Sequence, residues 1–190
     1  MTTMVERRKA TDKRIYDAAV IEFGNNGYAN TTLSMIAKRA GITPGLIVQN
    51  FGSKEELYRK IALDTALRSR EQMEPYSTTW DERCKAAIER VLDILSRDPD
   101  FIHYLKFYVS LITSLDTPDS IVKELREIYD GSSVNDLIIE GQRKHEVIDG
   151  DPYLIHAMFW GNMHNTVRFC FEHGLDYPPM EWFLEIIRKH

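Results

Sequence analysis

Residues 32–54 carry side chains whose types and spacing suit hydrogen bonding to another molecule. Thr32, Thr43, Gln49, Asn50 and Lys54 supply hydroxyl, amide and ammonium groups along this short stretch. Amide groups donate to and accept from base edges in the major groove of DNA, and a lysine ammonium binds phosphate as a point charge. Such groups act together only where the backbone holds them on one surface, so the elements around them decide what they can do.

Two short helices joined by a glycine turn are predicted around these side chains. Thr32 is a candidate N-cap, and the apolar residues within 36–40 recur on one helical face. Gly41 follows the last of them and supplies the left-handed conformation that ends a helix. Thr43 as N-cap and Pro44 at the first helical position then begin a second helix. This spacing predicts a helix-turn-helix.

The second helix is expected to have one face for the core and one for a partner. Ile47 and Phe51 are four residues apart and are expected to point inward. This arrangement turns four residues outward, whose small or amide side chains suit a major groove: Gly45, Leu46, Gln49 and Asn50.

A capping box predicts that a further helix begins directly after the second helix. The Ser53 hydroxyl can accept the N–H of Glu56, while the Glu56 side chain reaches back to the Ser53 N–H. Lys54 lies in the first turn, where its charge opposes the helix dipole at a small cost that a phosphate contact would justify. The alternative is that Lys54 is only solvated, as exposed lysines commonly are.

The N-terminal part of the chain resembles the DNA-binding domain of the tetracycline-repressor (TetR) family. The resemblance covers roughly residues 12–58 without gaps, and its hallmarks are Ile15, Ala18, Ala19, Phe23, Gly27, Tyr28, Thr31, Thr32, Ile36, Ala37, Ala40, Gly41, Ile42, Phe51, Lys54 and Leu57. It implies an all-helical homodimer that binds a palindromic operator and releases it when a small molecule enters the C-terminal domain. Where the family usually has a Tyr-x-Tyr-Phe or Tyr-x-His-Phe stretch, this chain has Val48-Gln49-Asn50-Phe51. The phosphate-contacting tyrosine expected at position 48 is absent, so either Gln49 and Asn50 take over that contact or the docking differs in detail.

The net charge of −5 is divided unevenly along the chain. Residues 1–60 carry ten Lys and Arg against six Asp and Glu, a net of +4, and the remainder carries −9. This asymmetry predicts that the N-terminal part meets a polyanion and that the rest is repelled by it. Arg7, Arg8 and Lys9 are interpreted either as a flexible arm on phosphates or in the minor groove, or as a solvated disordered tail.

Beyond residue 60 the apolar residues keep a helical period, which predicts an all-α protein. Helices are expected at about 55–72, 80–96, 99–115, 118–146 with a break near 131–133, 152–173 and 178–189. Prolines mark the starts of the last four, and Gly150 and Gly174 lie where helices stop. A soft connection is expected at Met73–Thr79. We expect two domains, an N-terminal three-helix helix-turn-helix unit over 1–54 and a C-terminal helical bundle for ligand binding and dimerisation over 55–190.

Two C-terminal helices are more apolar than surface helices require. Tyr104 and Tyr108 on 99–115, with Trp160 and His164 on 152–173, are candidate contacts to a small, mainly apolar or aromatic effector. Each aromatic residue alone is more simply explained as core, because helical bundles fill with such residues. The resemblance favours an effector site here and leaves the compound unspecified.

The last two helices also predict a dimer surface. Small or apolar residues on them would allow close approach of a second copy: His156, Ala157, Gly161, His164, Trp182, Phe183, Ile186 and Ile187. A monomer with a thick core is the alternative. We expect double-stranded operator DNA, a small-molecule effector and a second copy of the chain as partners, and no membrane.

Nothing in the sequence favours catalysis, a cofactor or a bound metal. The histidines are scattered, and no nucleophile elbow, phosphate-binding glycine loop or HExxH motif occurs. Cys84 and Cys170 have no CxxC spacing and no secretory segment precedes them, so a cytoplasmic protein is expected. The sequence thus predicts a ligand-responsive transcriptional regulator acting as a repressor. The alternative is a helical protein-interaction module with a vestigial helix-turn-helix.

Overall fold

The computed structural model describes residues 3–73, 80–113, 115–129 and 133–189. Within these ranges the regular secondary structure consists of α-helices and one isolated β-bridge, which confirms the all-α class. The helices are α1 (Met4–Asn30), α2 (Leu33–Ala40), α3 (Pro44–Phe51), α4 (Lys54–Met73), α5 (Trp80–Arg97), α6 (Phe101–Thr113), α7 (Asp119–Tyr129), α8 (Ser133–Arg143), α9 (Pro152–His173) and α10 (Met180–Glu185).

The first helix begins earlier than the sequence suggests. Thr3 caps it in a complete capping box with Glu6, so the basic residues Arg7–Lys9 lie exposed on the first turns of α1. Both interpretations of these residues, as a flexible arm and as a disordered tail, are therefore wrong. The cause is local, because the capping box satisfies N–H groups that a helix end otherwise leaves without partners.

The predicted helix-turn-helix signals form with two exceptions: Thr43 occupies the N-cap of α3 without a side-chain capping bond, and the Ser53 N–H donates to the Phe51 carbonyl at 3.2 Å instead of to the Glu56 side chain. The Thr32 hydroxyl accepts the Met35 N–H at 3.2 Å and starts α2. Gly41 adopts φ 63° and ψ 44° at the end of α2, a left-handed conformation that a residue with a Cβ reaches only at a cost. Pro44 opens α3, and the Ser53 hydroxyl accepts the Glu56 N–H at 3.0 Å at the start of α4.

Two apolar clusters organise the described residues, and α6 contributes to both. One combines α1, α2, α3 and α4 with Phe107 and Leu111 of α6 and residues of α7. The other joins α5, α8, α9 and α10 to α6 through Ile102, Leu105 and Tyr108. Helix α6 thus packs against α1 on one side and α9 on the other. The domain boundary at residue 54 stays a prediction, and the first cluster crosses it.

The last helix is shorter than predicted. The expectation of a helix over 178–189 is wrong beyond Glu185, because the final residues pair with a distant segment instead. Ile148 N–H donates to the Ile187 carbonyl at 2.9 Å, and Lys189 N–H donates to the Glu146 carbonyl at 3.1 Å, around a bridge between Val147 and Arg188. These long-range bonds replace the ones that would have continued the helix.

Two other sequence expectations fall partly outside the described residues. The soft connection at Met73–Thr79 and the break near 131–133 involve residues 74–79 and 130–132, of which the structure describes nothing. On either side of the second gap, α7 ends at Tyr129 and α8 begins at Ser133. Among the described helices, none combines the length and the apolar character needed to cross a membrane.

Candidate functional site

The exposed face of α3 is formed by small and short side chains. Gly45 and Gln49 are exposed, and Thr43 is exposed at the N-cap without a side-chain capping bond. A Cβ added at Gly45 would meet no other atom within 4 Å. Ile47, with 0% exposure, holds the opposite face in the core. Gly45 and Gln49 are therefore exposed as predicted, on a helix whose opposite face is packed in the core.

Val48 belongs to this exposed face, although it was not among the predicted DNA-binding residues. Its side chain is 47% exposed and lies three residues after Gly45 and next to Gln49. Residues at i, i+3 and i+4 share a helix face, so this spacing was a signal that could have identified it. Leu46 is only half-buried and lies nearer the core than expected.

The Asn50 side chain makes a hydrogen bond within the protein. Its amide nitrogen donates to the Asp12 carboxylate at 2.8 Å, and its side chain is partly buried. This bond joins the C-terminal half of α3, the predicted recognition helix, to α1 and fixes the orientation of α3 relative to α1. The amide oxygen is not engaged by that bond, and a DNA contact through Asn50 stays a prediction.

Lys54 also turns inward. Its ammonium donates to the carbonyl of Tyr28 at 2.9 Å and to the carbonyl of Thr31 at 3.0 Å. It also lies over the Tyr28 ring, 4.2 Å from the centroid. These carbonyls follow the interruption of α1 at Gly27, where φ is 76°. A lysine has three N–H donors, so the predicted phosphate contact is now limited to the third.

Other basic side chains make contacts that hold α2 against α1. Arg14 of α1 donates to the carbonyl of Ala40 and, at 3.2 Å, to that of Gly41, so it caps the end of α2. Arg39 pairs with the buried carboxylate of Glu22 at 2.6 Å. Buried charges of this kind need a partner to be tolerated. These contacts fix α2 on α1, while Lys38 and the residues of 7–9 remain exposed on the surface.

Three of the four predicted effector residues come together between α6 and α9. The rings of Tyr108 and His164 lie 4.6 Å apart between centroids, and those of Trp160 and His164 lie 5.6 Å apart. All three side chains are buried. Tyr104 packs instead against the cluster of α1–α4 and stacks on Phe101 at 5.9 Å. The structure thus separates Tyr104 from the other three.

This group contains polar atoms that the core does not satisfy. Trp160 Nε1 is buried and has no hydrogen-bond partner among the described residues. Burial lowers the pKa of His164 to about 3, with the neighbouring His156 adding to the shift, so the imidazole is neutral at pH 7. A buried donor without a partner costs free energy in the folded protein, which makes Trp160 Nε1 available to a ligand that brings an acceptor.

The exposed apolar surface of α9 and α10 differs from the predicted dimer surface. His156, His164, Phe183 and Ile187 are buried within the subunit, so their expected place at a dimer interface is wrong. Exposed apolar residues lie on α9, on α10 and just after the end of each helix: Leu154, Met158, Phe169, Leu175, Trp182 and Ile186. We call these six residues the outer patch. Helical periodicity alone cannot tell which apolar side of such a helix is core.

The comparisons with known proteins agree with this architecture. Residues 15–61 match the family model described as bacterial regulatory proteins, tetR family. The fatty acid metabolism regulator protein of Bacillus subtilis (strain 168) is 25% identical over 172 residues, which cover 86% of this chain and 84% of that protein.

Solved structures share the fold. The transcriptional regulator FadR from Bacillus subtilis, in complex with stearoyl-CoA, has a TM-score of 0.61 and 23% identity, covering 92% of this chain and 96% of that one. A TetR family transcription regulator from Marinobacter aquaeolei VT8 has a TM-score of 0.71 and 13% identity, covering 98% of this chain and 100% of that one. Residues 15–61 therefore match the TetR family of bacterial regulatory proteins, and the chain as a whole shares the fold of solved TetR family regulators.

Proposed function

We propose that this protein is a repressor that binds a palindromic operator as a homodimer and releases it when a fatty-acyl thioester binds. The observation that carries the DNA-binding part is the exposed face of α3, where Gly45, Val48 and Gln49 present no bulky side chain. Such a face can approach base edges closely in the major groove. The comparisons do not favour the alternative of a protein-interaction module with a vestigial helix-turn-helix.

The effector class is supported by relatives rather than by a bound molecule. One relative is a fatty acid metabolism regulator, and a protein of the same fold forms a complex with stearoyl-CoA. In this chain the candidate effector contacts are Tyr108, Trp160 and His164. They form a largely apolar group in which the buried Trp160 N–H has no hydrogen-bond partner among the described residues. A long apolar chain matches the group's surface, and a thioester carbonyl supplies the acceptor that Trp160 Nε1 lacks. Tyr104 remains a candidate contact on the other side of α6.

Release of DNA is proposed to follow from the position of α6. Tyr108 and His164 pack ring against ring, so an acyl chain entering between them must separate α6 from α9. Helix α6 also packs tightly on α1: a Cβ added at Gly24 would lie 2.9 Å from the Phe107 backbone nitrogen. Movement of α6 is therefore expected to displace the helix-turn-helix and change the separation of the two recognition helices. Effector and operator then favour different conformations of the dimer.

Dimerisation is proposed to occur through the outer patch. The six exposed apolar residues lie on α9, on α10 and just after each helix, where a second copy related by two-fold symmetry could cover them. The interface must hold two α3 helices about 34–36 Å apart, or a multiple, to read both half-sites of a palindrome.

Footprinting on the DNA upstream of the gene for this protein tests the proposal. We expect protection of one palindromic site, with half-site centres about 10 base pairs or a multiple apart. Addition of dodecanoyl-CoA should remove the protection, while free coenzyme A at the same concentration should not. Protection that persists with every acyl compound would exclude this effector class, and absence of a palindromic footprint would exclude operator binding there.

A further inference from the structure

A small cavity lies where α1, α6 and α9 meet, next to the candidate effector group. Its volume is about 180 Å³, and it is lined by Gly24 of α1, Lys106, Val109 and Ser110 of α6, and Arg168 of α9. A water molecule takes up about 30 Å³ in the liquid, so this space exceeds what one or two waters need.

The polar lining of this cavity is dominated by hydrogen-bond donors. Lys106 and Arg168 both pair with one carboxylate, Glu172, with Arg168 at 3.0 Å. Arg168 also donates to Asn165 Oδ1 at 2.7 Å. Two cations sharing one carboxylate leave one positive charge in excess, and the Ser110 hydroxyl adds a neutral donor.

The charged groups of Lys106 and Arg168 are less exposed to solvent than ordinary surface charges. The side chains of Lys106 and Arg168 are 22% and 30% exposed. Hydrogen bonding to Lys106 lowers the pKa of Glu172, and Lys106 adds to the effect of burial in lowering the pKa of His103. Because solvent screens such charges less than fully exposed ones, an anion in the cavity would interact with them more strongly than with a surface lysine.

Residues that line the cavity are close to the buried effector group along both α6 and α9. Arg168, His164 and Trp160 follow each other at intervals of four residues, which places them on one side of α9 about 6 Å apart along its axis. On α6, Val109 lines the cavity, and the preceding Tyr108 contacts the His164 ring. A line of polar groups therefore leads from the cations to the unsatisfied Trp160 Nε1.

We infer that this cavity binds a phosphate group of the acyl-thioester effector, with Lys106 and Arg168 as its ligands and the acyl chain between α6 and α9. The inference rests on the proposed function. A phosphate displaces Glu172 from the two cations, and the planar guanidinium of Arg168 offers it paired donors. Since Gly24 lines the same cavity, the phosphate also lies against the first helix of the DNA-binding unit. Ligand binding at this junction acts directly on the contact between α1 and α6.

Two ligands with the same acyl chain test the inference by direct calorimetric titration of the full-length protein. Dodecanoyl-CoA carries phosphates, and the dodecanoyl thioester of N-acetylcysteamine does not. We expect the wild type to bind dodecanoyl-CoA at least about tenfold more tightly, since charge-assisted hydrogen bonds are strong. Lys106→Met and Arg168→Gln should each remove most of this preference while leaving the affinity for the phosphate-free thioester unchanged.

Two matched variants complete the test. Glu172→Gln removes the competing carboxylate and should strengthen binding of dodecanoyl-CoA alone. Lys144→Met removes an exposed charge that pairs with Glu140 on α8 and should change neither affinity. Far-ultraviolet circular dichroism and thermal midpoints establish that every variant is folded.

The outcomes separate this inference from the proposed function. If both ligands bind the wild type equally well, or if the Lys106 and Arg168 variants weaken both ligands alike, the phosphate site is excluded while an acyl effector stands. If neither ligand binds, the proposed effector class is wrong and the phosphate site fails with it.

Discussion

The Lys54 ammonium lies 4.2 Å from the centroid of the Tyr28 ring and donates to the Tyr28 carbonyl at 2.9 Å. This contact joins the first turn of α4 to the irregular end of α1. Since α4 follows the recognition helix directly, Lys54 fixes the position of α3 relative to α1. We therefore propose that Lys54 affects DNA binding by positioning α3.

Replacement of Lys54 by methionine should reduce both stability and operator affinity. Loss of two hydrogen bonds from a charged donor is expected to lower the free energy of unfolding by roughly 1–3 kcal/mol, measured by urea titration. We expect the salt dependence of operator binding to be unchanged. A fall in the logarithmic salt slope of about 0.9 would show that Lys54 neutralises a phosphate directly.

Replacement of Gln49 by alanine should relax sequence preference at one base pair of each half-site. The expected loss of discrimination is about 1–3 kcal/mol, measured by competition with operators altered at single positions. Lys54→Met is the control, because it removes contacts that position α3 and should weaken binding to every sequence alike. Unaltered preference in the Gln49 variant would assign base reading to other residues of α3.

A glutamate in the outer face of α9 should prevent dimerisation. Gly161→Glu, Ala157→Glu and Met158→Glu each place a charge on or beside the outer patch, where a second copy would have to desolvate it. Sedimentation velocity at micromolar concentration should give monomers that bind operator poorly. Lys144→Glu, at an exposed position directly after α8, should remain dimeric. A monomeric wild type would rule out this arrangement.

Stability should fall in acid because two histidines are buried in the neutral form. Burial lowers the pKa of His156 to about 4 and that of His164 to about 3, while an unfolded histidine titrates near 6.5. The unfolded chain therefore binds more protons as the pH falls below 6.5. The folded state should lose roughly 1–2 kcal/mol per histidine between pH 7 and pH 5. His164→Leu should reduce this pH dependence, and equal slopes in variant and wild type would contradict the burial argument.

The contact between α1 and α6 should tolerate no added methyl group. A Cβ at Gly24 would lie 2.9 Å from the Phe107 backbone nitrogen, so Gly24→Ala is expected to destabilise the protein by about 1–3 kcal/mol. Gly45→Ala is the matched control, since its Cβ meets nothing and its effect on stability should be small or favourable. Thermal denaturation compares the two variants, and equal midpoints would show that α6 yields at this contact.

The parts of the fold set by neighbouring residues could be predicted from the sequence. Gly41 ends α2 through its left-handed conformation, Pro44 begins α3 through its fixed φ, and Ser53 begins α4 through a bond to Glu56, all of them local effects. What depended on distant partners could not be predicted. Lys54 turns inward because the end of α1 presents carbonyls to it, and Lys189 leaves the helical path because Glu146 accepts its N–H.

The same distinction applies to the candidate sites. Gly45 and Gln49 follow from helical spacing, whereas Asn50 is drawn to Asp12 on another helix. On α9, apolar residues occur on most sides, so the sequence could not tell that His156 and His164 face the core while Met158 faces out. That choice is made by the packing of α6 against one side of α9.

Operator and effector are proposed to bind the same dimer with opposing preferences. Calorimetric titration of dodecanoyl-CoA into the free protein and into its saturated complex with operator DNA measures this directly, because coupling between two binding sites is reciprocal. We expect affinity for the complex to be about 100-fold lower, which corresponds to roughly 3 kcal/mol of coupling. Equal affinities for the free protein and for the complex would contradict it.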